Sequence, residues 1–153
     1  MLKTNLKTII AMAIAATLWS CQESGNDKKT EPITPDVELT AQEISNGVLT
    51  PEILWKFGRI GSPSVSPDAE TVVFTITRFS MEANRGGTNI YTIPVKGGEP
   101  KELTGNETND FSPAWRPDGK RIGFLSSRSG STQLWEMAPD GANPTQVTNV
   151  EGG

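Results

Sequence analysis

Apolar and polar positions along this chain fall into three successive patterns. Residues 9–18 form an apolar run with Thr17 as its one polar member, residues 22–35 hold hardly any apolar side chain, and beyond Gly61 the period becomes that of strands. Between the polar stretch and the strands lie two helix starts. Thr40-Ala41-Gln42-Glu43 has capping-box spacing, although Gly47 soon interrupts it. Thr50 followed by Pro51 is a stronger start, with Ile53, Leu54 and Phe57 as a rough apolar face before Gly58. This short helix is expected to pack Trp55 and Phe57 against the first sheet, with a binding role for Trp55 as the alternative.

The strand region repeats itself. Residues 112–124 read Ser-Pro-Ala-Trp-Arg-Pro-Asp-Gly-Lys-Arg-Ile-Gly-Phe, and residues 62–74, 50 positions earlier, keep Ser, both Pro, Asp and the closing Phe in register. Each copy joins two short strands through a Pro-Asp-x turn. Proline pre-sets the first turn position, Asp bonds its own backbone, and Gly119 takes the left-handed angle. Asp68, Asp118 and Gly119 are therefore read as structural turn residues and not as catalytic groups. Ala69 stands where Gly119 stands in the other copy, which leaves the first turn open to another type.

Strands are predicted near 64–66, 71–77, 89–95 and 101–104, and again near 114–116, 121–126, 133–138 and 145–148. For the later strands the offset falls to 44, and the six missing residues belong to the connection between strands two and three. Four short antiparallel strands per unit, a period of about 40 to 50 residues and a turn in each hairpin are what a β-propeller blade requires. The expected fold class is all-β, a partial propeller of two four-stranded blades at 61–104 and 105–148, with 149–153 opening a third. Trp115, Phe124 and Phe74 are its expected core between blades.

Lys3 and Lys7 ahead of the apolar run, which is too short for a membrane span, make residues 1–20 an export signal. Leu18-Trp19-Ser20-Cys21 resembles the bacterial lipobox, which implies lipidation of Cys21, a membrane anchor, and location in the cell envelope. The alternative is an ordinary secretory signal with Cys21 as a spare thiol. Residues 21–47 read as a flexible tether, and 48–60 as the short helix that leads into the blades.

Composition narrows the chemistry. The 153 residues carry a formal charge of -4, or -6 once Lys3 and Lys7 leave with the signal, which argues against a nucleic-acid partner. With one Cys and no His, neither an internal disulfide, the usual zinc sets nor a Ser-His-Asp triad can be assembled from this chain. No cofactor, metal site or catalytic residue is expected in it. Asn106-Glu107-Thr108 fits the glycosylation pattern by accident in a bacterial exported chain.

Residues 113–120, with Ile122 and Phe124, resemble the TolB-type propeller repeat, typically Pro-x-Trp-Ser-Pro-Asp-Gly-Lys. The stretch 49–55, Leu-Thr-Pro-Glu-Ile-Leu-Trp, resembles the start of exported prolyl oligopeptidase family enzymes, in the acylaminoacyl and dipeptidyl peptidase branch. Asn84, Asn89-Ile90-Tyr91 and Gly97-Gly98-Glu99-Pro100 before Leu103-Thr104 fit that branch too. The resemblance covers about residues 48–153. It implies a propeller that covers a separate α/β-hydrolase domain holding Ser, Asp and His. The sequence to residue 153 contains no Gly-x-Ser-x-Gly elbow, so that domain is expected elsewhere in a longer gene product.

By elimination, the connection 78–88 is the candidate for recognition, through Glu82, Asn84 and Arg85, since long loops on rigid strands often carry binding. Charged groups there would help hold a peptide terminus in such a peptidase; the plainer reading is a solvated excursion. The functional expectation is the propeller of an exported serine exopeptidase that gates and positions peptide substrates. The competing reading is a noncatalytic TolB-like module that binds another envelope protein.

Overall fold

The computed structural model describes residues 38–105 and 108–151. The export signal, Cys21, the tether up to residue 37 and the Asn106-Glu107 pair lie outside the described residues. Among the described residues two six-residue helices come first, α1 (Ala41–Asn46) and α2 (Pro51–Lys56). Thr40 and Glu43 cap the first helix reciprocally, and Gly47 ends it in the left-handed conformation. The Thr50 hydroxyl accepts the Ile53 N–H to start α2. A Glu43–Lys56 ion pair of 3.1 Å ties the two helices together. Ile53 is buried. Phe57, expected in the sheet contact, is 46% exposed instead, because α2 ends at Lys56 and the extended backbone of Phe57 turns the ring outward.

Eight strands come next, in two four-stranded antiparallel sheets, β1-β2-β3-β4 and β5-β6-β7-β8. The first sheet comprises β1 (Arg59–Val65), β2 (Thr71–Ser80), β3 (Arg85–Pro94) and β4 (Lys101–Glu102). The second comprises β5 (Asp110–Trp115), β6 (Ile122–Ser126), β7 (Gln133–Met137) and β8 (Thr145–Gln146). Chain order equals spatial order in both, as a propeller blade requires.

The first strand of each blade begins earlier than its alternation predicts. β1 pairs with β2 as Gly61↔Thr75 and Ser64↔Val73, so Ser62-Pro63 forms a bulge between them. β5 has the same irregularity at Ser112-Pro113, between Phe111 and Ala114. Ser62 and Ser112 adopt φ of 47° and 52°, and the proline behind each cannot donate to the ladder. The strand is re-aimed there, not begun.

The Pro-Asp turns are alike in the two blades. Ala69 N–H bonds the Ser66 carbonyl at 2.8 Å, and Gly119 N–H bonds that of Arg116 at 2.9 Å. Ala69 has φ of 60° and Gly119 of 67°, so the first turn is of the same type as the second despite its Cβ. Local hydrogen bonding holds Ala69 there against the left-handed cost of roughly 1–2 kcal/mol.

The core lies between the blades. Val73 and Ile90 of the first sheet meet Ile122, Phe124 and Met137 of the second, with Leu103, Trp115 and Trp135 packed around them. Phe74 is buried but stands outside this cluster. Strand alternation turns it to the face opposite Val73, where it stacks on Tyr91 at 6.0 Å.

Candidate functional site

The connection expected to be an 11-residue loop is largely strand. β2 and β3 pair continuously from Thr71↔Pro94 to Ser80↔Arg85, leaving only residues 81–84 as a turn. The six residues by which the first blade exceeds the second therefore lengthen a hairpin instead of loosening a loop. Thr77 and Thr88 share a 2.9 Å side-chain hydrogen bond across this extension, and the Ser80 hydroxyl accepts the Ala83 N–H at 3.1 Å to close its tip.

Helix α2 folds against that tip. Trp55 meets Phe79 edge to face, with centroids 4.8 Å apart at 71°. The Arg59 guanidinium lies over both rings, 5.0 Å from the Trp55 centroid and 4.5 Å from that of Phe79. On one side of the aromatic pair runs a groove of about 290 Å³ bordered by Glu52, Lys56, Met81 and Glu82. A second groove of about 300 Å³ shares Trp55, Phe79, Ser80 and Met81 and reaches Asn84, Arg85 and Gly86.

The structure thus brings the three candidates to one place, divided between two neighbouring grooves. Glu82 and Asn84 sit on the exposed turn and Arg85 opens β3. The apolar floor formed by Trp55, Phe79 and Met81 was not identified as a site from the sequence. Its assembly needs the contact between α2 and the hairpin, although the binding alternative for Trp55 was a partial signal. Glu52 was missed as well. Its own backbone N–H, and then the Thr50 hydroxyl, hold its carboxyl below the usual range, so the groove rim keeps an anion near neutral pH.

Asp68, Asp118 and Gly119 lie away from these grooves in the Pro-Asp turns. Asp68 accepts the Ser66 hydroxyl and, at 3.0 Å, the Glu70 N–H; Asp118 accepts the Lys120 N–H at 3.0 Å and Arg116 at 2.9 Å. Both carboxyls are held below their ordinary range, Asp68 chiefly by the Ser66 hydroxyl and Asp118 chiefly by the Lys120 N–H. Every close partner is local, which is the chemistry of a turn. Among the described residues no three His, Cys, Asp or Glu side chains come together to hold a metal.

Comparison with known proteins agrees with this architecture. The family profile described as the TolB beta propeller domain matches residues 38–153. Dipeptidyl-peptidase 5 of Porphyromonas endodontalis is 31% identical over 153 residues, all of this chain and 20% of that protein. Dipeptidyl-peptidase 5 of Porphyromonas gingivalis is 38% identical over 86 residues, which are 56% of this chain and 13% of that protein. Among solved structures, an acylaminoacyl peptidase of Pyrococcus horikoshii superposes with a TM-score of 0.53 at 20% identity, over 64% of this chain and 15% of that one. The chain spans about a fifth or less of the length of the curated relatives it matches.

Proposed function

Because this chain belongs to the TolB β-propeller family, we infer that it is the propeller portion of an exported serine exopeptidase, gating and positioning peptides for a hydrolase domain outside these 153 residues. The observation that carries this reading is the 31% identity to dipeptidyl-peptidase 5 along the whole chain. In this assignment residues 1–20 are the export signal, lipidated Cys21 anchors the protein in the bacterial envelope, and 21–47 is the tether. Helix α1 lies within that last segment. Residues 48–60 lead into the blades at 61–104 and 105–148, and 149–153 open the next one.

The catalytic work, acyl transfer from the peptide carbonyl to Ser and then to water, belongs to the hydrolase domain. The propeller contributes access and orientation, with Glu82, Asn84 and Arg85 as the groups that meet the peptide. In the full-length protein, Glu82→Lys with Arg85→Glu raises KM for dipeptidyl-coumarin substrates several-fold and leaves kcat within about twofold. Kinetics unchanged by this double reversal would remove the hairpin from substrate recognition. The second reading, a noncatalytic envelope-binding module, rests on the TolB match over residues 38–153. A downstream reading frame without a Ser elbow decides for it.

A further inference from the structure

Strand β3 outruns its outer neighbour. β4 pairs only with Tyr91 and Thr92, whereas β3 extends back to Arg85. The Ile90 N–H bonds the Thr104 hydroxyl at 3.0 Å and its carbonyl accepts the Leu103 N–H at 2.8 Å, so both backbone groups of Ile90 face the β4 side. The alternation of a strand turns Thr88 and Gly86 the same way. The Thr88 N–H is taken by Asn109 Oδ1 at 3.1 Å. The Thr88 carbonyl and both backbone groups of Gly86 carry no hydrogen bond to any described residue. This edge has no proline, charge or bulge at 86–88, the usual protections against strand pairing.

Beside this stretch of β3 lies the second groove. Gly86 pairs with Phe79 across the ladder, and a Cβ on it would stand 2.9 Å from two Phe79 ring carbons. The ring therefore lies against the Gly86 backbone, and a side chain at this position would have to push it aside. A strand added antiparallel to β3 places the side chain opposite Gly86 on this same face, beside Phe79, Trp55 and Met81, the last 65% exposed. A donor and an acceptor on one residue with no partner among the described residues, next to an apolar slot on the same face, match an extended backbone with one apolar side chain.

We propose that residues 86–88, with the groove of Trp55, Phe79 and Met81, form a strand-addition site for an extended segment of a second polypeptide, its apolar side chain opposite Gly86. The site uses only described residues and does not depend on a hydrolase domain beyond the propeller. The probes are acetyl-Ser-Thr-Leu-Thr-Ser-amide and its N-methyl-leucine analogue, titrated into the ¹⁵N-labelled chain. Binding of the first shifts the Gly86 amide downfield and slows its hydrogen exchange. The N-methyl analogue, unable to donate to the Gly86 carbonyl, binds at least about tenfold more weakly. Met81→Glu, at an exposed position, weakens the first peptide about tenfold while core amide exchange stays unchanged. Equal binding of the two peptides, binding indifferent to Met81→Glu, or no shift at residues 86–88 at millimolar peptide would overturn the proposal.

Discussion

The two blades are built on one repeat yet finish their second hairpin differently. In the second blade β6 and β7 are five residues each, and the segment leaving β6 is locked down. Arg128 donates to the buried Asp110 at 2.8 Å and to the Ser126 hydroxyl at 2.9 Å, and its guanidinium lies 5.1 Å from the Phe124 centroid and 5.0 Å from that of Trp135. Fifty positions earlier, Arg78, Phe74 and Ile76 stand for Arg128, Phe124 and Ser126, but Ile60, 74% exposed, replaces Asp110. No carboxylate stands at position 60 to take up the part that Asp110 plays for Arg128. The first blade continues the ladder to Ser80↔Arg85 and projects a tip that α2 covers with Trp55. One frame, ended in two ways, yields a closed corner in one blade and two grooves in the other.

The largest test of this contrast is Arg128→Ala. The Asp110 side chain is 1% exposed, and removing its partner leaves a buried carboxylate without a counter-charge, which costs about 3 kcal/mol or more. Urea unfolding should show that loss, whereas Ile60→Ala in the first blade, at an exposed site, should change stability by no more than about 0.5 kcal/mol. Comparable effects from the two substitutions would mean that the blades are held together alike.

The Pro-Asp turns offer a smaller and reciprocal test. Ala69→Gly relieves a left-handed alanine and Gly119→Ala creates one, so the first should stabilise and the second destabilise by about 1 kcal/mol each. A Cβ on Gly119 would meet only Pro67, at 3.8 Å, so sterics do not confuse the comparison. Equal signs for the two substitutions would show that the turns are not equivalent.

The same residues explain which features could be read before folding and which could not. The in-register Ser-Pro and Pro-Asp-x pieces disclosed the repeat because each residue type has one local conformational job. The strands upstream of Ser62 and Ser112 were hidden because a Ser-Pro bulge breaks alternation while pairing continues through it. The long hairpin was hidden because Glu82, Asn84, Gly86 and Gly87 have loop composition; their pairing comes from the ladder already established by Val73 and Ile90. For the site, Glu82, Asn84 and Arg85 could be singled out as charge and amide groups on an insertion. The Trp55–Phe79 floor could not, since it exists only after a helix 24 positions away in sequence has docked.

The finest distinction between the blades is electrostatic. Both turn aspartates have folded pKa values below the ordinary 3.8, so each contributes stability that is fully present above that value and lost as pH falls through the folded pKa. Asp68→Asn and Asp118→Asn should therefore each flatten the fall in thermal midpoint between about pH 5 and pH 2. The causes differ: the Ser66 hydroxyl and Glu70 N–H act on Asp68, while Asp118 also feels the charges of Arg116 and Lys120. Salt at about 0.5 M screens exposed charges and leaves neutral hydrogen bonds nearly untouched. The acid sensitivity that Asp118→Asn removes should shrink in that salt, and the part that Asp68→Asn removes should persist. Persistence of both contributions in salt would assign both shifts to hydrogen bonding alone, shrinkage of both would assign charge to both, and either result would erase the electrostatic difference between the two turns.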